Sequence, residues 1–129
     1  LSLWLVKHQM NIEFYEKFGI DLPLVPLKET GSIVQGNATS INWTDVCPNN
    51  GNDEIYIIGN PPYLGQRNQQ DIHKADLARV FEGMSYYKKL DYVACWFMLA
   101  CRYLTDNVKV AFISTSSISQ GVQIEQLWS

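Results

Sequence analysis

Glu54-Ile55-Tyr56-Ile57-Ile58-Gly59-Asn60-Pro61-Pro62-Tyr63 is the stretch of this 129-residue chain that decides its fold. Residues 54–59 form a run that is nearly all apolar and β-favouring. Such a run reads as a strand buried on both faces, as in a parallel sheet. The last four residues end that strand. Proline has no N–H to give to a ladder and holds φ fixed, so Pro61 and Pro62 stiffen a turn. An amide and an aromatic ring thus sit at the carboxyl end of a strand. In open parallel sheets that is where ligands bind.

On the C-terminal side, Asn60 to about Asp71 is a polar loop, and a helix is expected from Lys74 towards Tyr87. A second, almost wholly apolar helix is expected from Tyr92 to Leu104, with Asp91 as its N-cap. A helix apolar on nearly every side is a buried one. Asp106-Asn107 turns the chain into a strand, Val108 to Ile113, followed by Ser114-Thr115-Ser116-Ser117. A last helix starts near Val122.

On the N-terminal side, Cys47 to Asp53 is dense in turn formers and reads as a surface loop. Ser32-Ile33-Val34-Gln35 reads as a short strand ending at Gly36, and Pro23 and Pro26 make the stretch before it an extended link. Leu3, Val6, Met10, Phe14 and Phe18 recur at three- and four-residue steps. They mark one face of a first helix that stops at Gly19. His8 on that helix reads as a surface or packing residue.

Helices separating short apolar strands indicate an α/β sheet with parallel crossovers. Gly36-Asn37-Ala38, Asn60 to Tyr63, and Ser114 to Ser117 each follow a strand. All three are therefore expected to open onto one edge.

The residue types at Asn60 to Tyr63 suit one kind of chemistry. An aromatic amine such as adenine N6 is a poor nucleophile, because its lone pair is delocalised into the ring. Attack on a sulfonium methyl takes the nitrogen from planar towards tetrahedral. Two acceptors, one for each N–H, favour that geometry and absorb the developing positive charge. The Asn60 side-chain oxygen and a backbone carbonyl of Pro61 or Pro62 supply such a pair. The prolines add stiffness without a competing donor, and alignment of amine, methyl and sulfur requires stiffness. Tyr63 offers a flat face for a base taken out of its stack. An ordinary strand-to-loop turn uses the same residue types, but the full Asn-Pro-Pro-Tyr sequence directly after an apolar strand is more specific than any of its parts.

Composition bounds the rest. Hydrophobic residues make up 47% of the chain and charged residues 18%, a globular balance. The net charge is −3, whereas a chain devoted to gripping nucleic acid is usually basic. If DNA is the substrate, the phosphate-binding surface is expected to lie mostly outside these residues. Cys47, Cys95 and Cys101 are too few and too odd in number for a disulfide framework, and a reducing cytoplasm is expected. Cys95 and Cys101, inside the apolar run, read as small hydrophobes. No cysteine or histidine spacing suits zinc, so no metal is expected. The apolar run is too short to span a bilayer, and no membrane partner is expected. No glycine-rich nucleotide loop or Walker lysine loop is present.

The chain resembles the γ-type amino-methyltransferases that modify adenine N6 in DNA, and most closely their MmeI-like, type IIL restriction–modification branch. The resemblance runs along essentially the whole chain. It is carried by Leu3-Trp4-Leu5 with His8-Gln9-Met10-Asn11, by Leu22-Pro23-Leu24 with Pro26-Leu27-Lys28, and by Ile33 to Ala38. It continues through Ile58-Gly59-Asn60-Pro61-Pro62-Tyr63-Leu64-Gly65, Leu90 to Ala94 with Trp96, and Ala111 to Thr115. Ser117-Ile118, Gln120-Gly121 and Leu127-Trp128 complete it.

What the resemblance implies is an incomplete Rossmann-like methyltransferase fold, α/β with parallel strands flanked by helices, as one partial catalytic domain over 1–129. The cofactor would be S-adenosylmethionine, with Gly36 and Asn37 near its adenine. Asn60, Pro61, Pro62 and Tyr63 would hold the target adenine, and Ser114, Thr115 and Ser116 would line its pocket. The implied sheet order is 3-2-1-4-5, of which these residues would supply strands three, four and five. The glycine-rich cofactor loop is expected before Leu1 and a target-recognition domain after Ser129. The rest of a longer polypeptide would thus complete the sheet and bring double-stranded DNA, and the isolated chain is expected to bind cofactor weakly or not at all. Two rival readings stand beside this one. The same loop serves protein-glutamine and RNA amino-methyltransferases, and an α/β remnant could serve only as an interaction surface.

Overall fold

The computed structural model describes residues 2–20 and 33–128. The chain divides into two compact units, Leu1–Ile33 and Val34–Ser129. The extended link expected at Pro23 and Pro26 lies outside the described residues.

The first unit holds helix α1, Ser2–Phe18. It ends where the sequence indicates. Gly19 takes φ 66° and its N–H bonds to the Tyr15 carbonyl at 2.8 Å. This is the left-handed C-terminal stop that glycine adopts without a Cβ penalty. The Phe14 and Phe18 rings meet at a tilt of 38°, 4.7 Å between centroids. Val6, Met10 and Phe18, on the expected apolar face, are exposed.

The second unit runs through α2 (Trp43–Val46), β1 (Ile55–Gly59), α3 (Asp71–Val80), α4 (Ala94–Tyr103), β2 (Val108–Phe112) and α5 (Val122–Leu127). Strands β1 and β2 pair in parallel from Ile55 against Val108 to Gly59 against Phe112. The mixed α/β architecture with neighbouring parallel strands is the one expected. The crossover between them carries α3 and α4. Their facing sides make the core, with Leu77, Val80, Phe81, Leu90 and Cys95 sealed from solvent. Arg102 of α4 donates to the Val80 carbonyl at 2.6 Å, tying the end of α3 to α4.

Four expectations need correction. Strand β1 is not buried on both faces. Ile55, Ile57 and Gly59 are half-buried, but Tyr56 is exposed and Ile58 is 80% exposed. Among the described residues of this unit only one face of the two-stranded sheet is covered, and Lys109 lies over the Tyr56 ring on the other. Residues 33–35 form no strand and are exposed, and Ser32 lies outside the described residues. A strand exists through its ladder, and among the described residues no neighbour pairs with these. Helix α3 starts at Asp71 rather than Lys74 and ends at Val80, because Gln70 and His73 form a capping box and Gly83 turns at φ 85°. Helix α4 starts at Ala94 rather than Tyr92 and is not buried all round: Trp96 to Leu99 are half-buried, and Cys101, like Leu104 just beyond the helix, is exposed.

Candidate active-site clefts at the ends of β1

Asn60 emerges directly from the last paired residue of β1. The Ile113 N–H donates to the Gly59 carbonyl at 3.0 Å, so pairing stops at the step where the loop begins. Because the strands are parallel, Ser114 and Thr115 leave β2 at the edge where Asn60 leaves β1. Pro61 is buried, while Asn60 and Pro62 are exposed. Asn60, Pro61 and Pro62 line a cleft of about 300 Å³ whose other walls include Trp43, Trp96 and Phe112. Among the described residues nothing hydrogen-bonds the Asn60 side chain, so its oxygen is available to a ligand. Tyr63 is 45% exposed and does not line this cleft.

The loop is held from behind. Asp91 Oδ1 accepts the Leu64 N–H at 2.8 Å and the Val93 N–H at 3.2 Å. The Tyr92 N–H donates to the Leu64 carbonyl at 3.1 Å. Gln69 Nε2 bridges the Leu64 and Leu90 carbonyls, each at 2.9 Å. Asp91 is not the N-cap of α4, because the helix begins at Ala94 with Val93 as its N-cap and no side-chain cap bond; Asp91 instead holds the turn before the helix and anchors the segment after Tyr63.

Gly36 and Ala38 lie along a second groove, of about 370 Å³, between their turn and the edge of β1. Trp43, Ile57 and Ile58 line both this groove and the Asn60 cleft. The indole N–H of Trp43 donates to the Ala38 carbonyl at 2.9 Å, which fixes that shared wall. A Cβ on Gly36 would come within 2.8 Å of Ile41 Cδ1, so the turn closes tightly over the groove. Asn37 uses its side chain internally. Its Oδ1 accepts from the Thr39 N–H and hydroxyl at 3.0 and 2.8 Å, and its Nδ2 donates to Asp76 at 3.0 Å.

Asp76 is 4% exposed and collects donors from several elements. The Tyr92 hydroxyl reaches it at 2.6 Å and the Arg79 guanidinium pairs with its other oxygen. Burial alone would raise the Asp76 pKa, but the bonds from Tyr92, Asn37 and Arg79 outweigh it and hold the carboxyl below its ordinary value. Burial first, then the Asp76 bond, pushes the Tyr92 phenol up to about 12. The network fastens the Asn37 turn to α3 and to the turn before α4.

At the end of β2, the Thr115 and Ser117 hydroxyls bond each other at 2.6 Å and Ser116 is exposed. The Ser114 hydroxyl is buried with no partner among the described residues. Among the described residues no three His, Cys, Asp or Glu side chains cluster as a metal site needs.

Several of these residues were not singled out from the sequence. Asp76 and Arg79 stand at helical i, i+3 spacing, which signals a pair but not its burial. Asn42 with Asp45 three residues later is a readable helix start. Asn42 Oδ1 accepts from the Thr44 N–H at 3.3 Å and its Nδ2 donates to Asp45 at 3.1 Å, and that short helix delivers Trp43.

Comparison with known proteins agrees with this geometry. The family described as MmeI, DNA-methyltransferase domain, matches residues 1–129. DNA methyltransferase A of Bacillus subtilis (strain 168) is 44% identical over 131 residues, covering 100% of this chain. The chain spans 15% of that relative's length. The solved structure of the type IIL restriction–modification enzyme MmeI, in complex with DNA, matches 98% of this chain with a TM-score of 0.78 and 40% identity, over 17% of its own length. The chain belongs to the MmeI DNA-methyltransferase domain family.

Proposed function

We propose that this chain is the target-amine part of a DNA adenine-N6 methyltransferase using S-adenosylmethionine, working in the cytoplasm within a longer restriction–modification polypeptide. The observation that carries the reading is the wall of Trp43, Ile57 and Ile58 common to the Asn60 cleft and the Gly36 groove. Methyl transfer needs the donor and the amine side by side in a fixed alignment, and two clefts with one wall between them meet that need.

The residues present suit the aromatic end of the cofactor. Gly36, Ala38, Ile41 and Trp43 give the groove a flat apolar rim, as an adenine ring requires. The Asn37 side chain, committed to Asp76 and Thr39, sets the shape of that rim rather than reaching into it. When bound, S-adenosylmethionine supplies an electrophilic methyl. The Asn60 oxygen and a proline carbonyl accept the two N–H bonds of the amine and stabilise the positive charge that grows on nitrogen. Tyr63 stacks on the extruded base from outside the cleft, and the serine-rich end of β2 borders the same edge. Kinship with an enzyme solved on DNA favours DNA over protein or RNA as the substrate.

Methylation-aware sequencing of DNA from a host expressing the complete gene tests this reading. N6-methyladenine at one recurrent site is the expected result. Absence of DNA methylation, with methyl groups instead on protein glutamine or RNA, would overturn it.

A further inference from the structure

Immediately beyond the Asn-Pro-Pro-Tyr loop lies a further cleft, of about 530 Å³, and Arg67, Lys74 and Lys88 are among the residues that line it. No carboxylate lines it, although the chain as a whole carries a net charge of −3. Lys74 has a loose, exposed partner in Asp71 at 3.5 Å. Arg67 and Lys88 have no ion-pair partner among the described residues. All three side chains are exposed, and a cleft edged by one sign of charge favours an anionic occupant. Gln66 and Tyr87, also at its walls, add neutral hydrogen-bond donors.

The cleft is also fixed relative to Asn60. Gln69 at its floor bridges the Leu64 and Leu90 carbonyls. Arg67 follows Tyr63 by only four residues, a span of at most about 14 Å. Successive base pairs of a duplex rise about 3.4 Å. A base held at Asn60 therefore brings phosphates of its own strand within reach of this cleft.

We infer that the Arg67–Lys74–Lys88 cleft binds the sugar–phosphate backbone of the strand that carries the target base. The inference rests on the DNA reading above and deepens it. It also amends the expectation from net charge, because the phosphate-binding surface is partly in this chain. Phosphate contacts position a protein without reading sequence. The three cations hold the strand in register while the base enters the Asn60 cleft.

The test uses the full-length enzyme and the variant Arg67→Ala/Lys74→Ala/Lys88→Ala, with Lys17→Ala on α1 as a charge control. Affinity for a short random-sequence duplex, and for the same duplex carrying the methylated site, is measured across a range of salt. Each phosphate contact removed makes the plot of log affinity against log salt shallower by about 0.9. The triple variant is expected to lose about two to three units of slope on both duplexes, to weaken on both alike, and to keep its cofactor affinity and melting temperature. An unchanged slope overturns the inference. So does a loss that appears instead as lower melting temperature or cofactor affinity, which would mark the cleft as a seat for another part of the polypeptide. If the unsubstituted enzyme neither binds nor methylates DNA, the reading of function fails. If it does both and the triple variant matches its slope, only this inference fails.

Discussion

Asp91 Oδ1 accepts the Leu64 backbone N–H at 2.8 Å across 27 residues of sequence, so the residue that holds the turn before α4 also anchors the loop ending at Tyr63. Hydrogen bonds to a charged acceptor contribute about 1.5–3 kcal/mol, and a reacting group misplaced by about 1 Å costs on the order of 100-fold in rate. Asp91→Ala is expected to lower kcat of the full-length enzyme by about tenfold or more. Asp91→Asn retains an acceptor oxygen and should recover most of the loss. Steady-state kinetics with a parallel melting curve checks this. Equal damage from both variants would mean that charge, not the anchoring bond, matters.

The Asp76 network gives a pH dependence of defined sign. The folded pKa lies below the ordinary 3.8. Its stabilisation is therefore complete above that value and declines as pH falls through the folded pKa. Asp76→Asn should cost about 2 kcal/mol at neutral pH. Its melting-temperature gap from the unsubstituted protein should stay flat down to the region of 3.8 and close below it. A gap that widens in acid would contradict the network.

Gly36→Ala forces a Cβ against Ile41 Cδ1. The contact is with the flexible end of the Ile41 side chain, and because Ile41 lines the Gly36 groove, its shift changes the shape of that groove. Cofactor affinity of the full-length enzyme should fall by about tenfold, given that overpacking costs roughly 1–3 kcal/mol. Adding Ile41→Val removes the offending methyl and should restore it. Calorimetric titration of the single and double variants decides the matter.

The cysteines should separate by reactivity. Burial pushes the Cys95 thiol up to about 12, and its side chain is sealed in the core. Cys47 and Cys101 are exposed. Thiolates, not thiols, are alkylated. Mass spectrometry after iodoacetamide treatment should find Cys95 unmodified until denaturant is added.

The parts of this structure written in local sequence were readable from it. The apolar run into Asn60 gives β1, Val108 onward gives β2, Gly19 stops α1, and Asp91 starts the turn into α4. What depends on distant partners was not readable. Nothing near Asp76 announces that Asn37 and Tyr92 will meet on it, since those residues lie 39 and 16 positions away. The Leu64–Asp91 bond is silent for the same reason. The exposure of Ile58, Cys101 and Leu104 shows the converse. Their apolar character signals burial, and nothing among the described residues of their unit covers them. The Arg67 cleft was hidden by averaging, because a net charge of −3 conceals three basic residues lining one cleft.

The central claim is that Asn60 accepts an N–H of the target adenine in the transition state. Its most direct test is the single-turnover rate of methyl transfer to adenine N6 by the full-length enzyme and by Asn60→Ala, with cofactor and DNA affinities measured alongside. The account predicts a rate lower by about 100-fold or more, with both affinities retained. A variant that transfers methyl groups at the unsubstituted rate would contradict it.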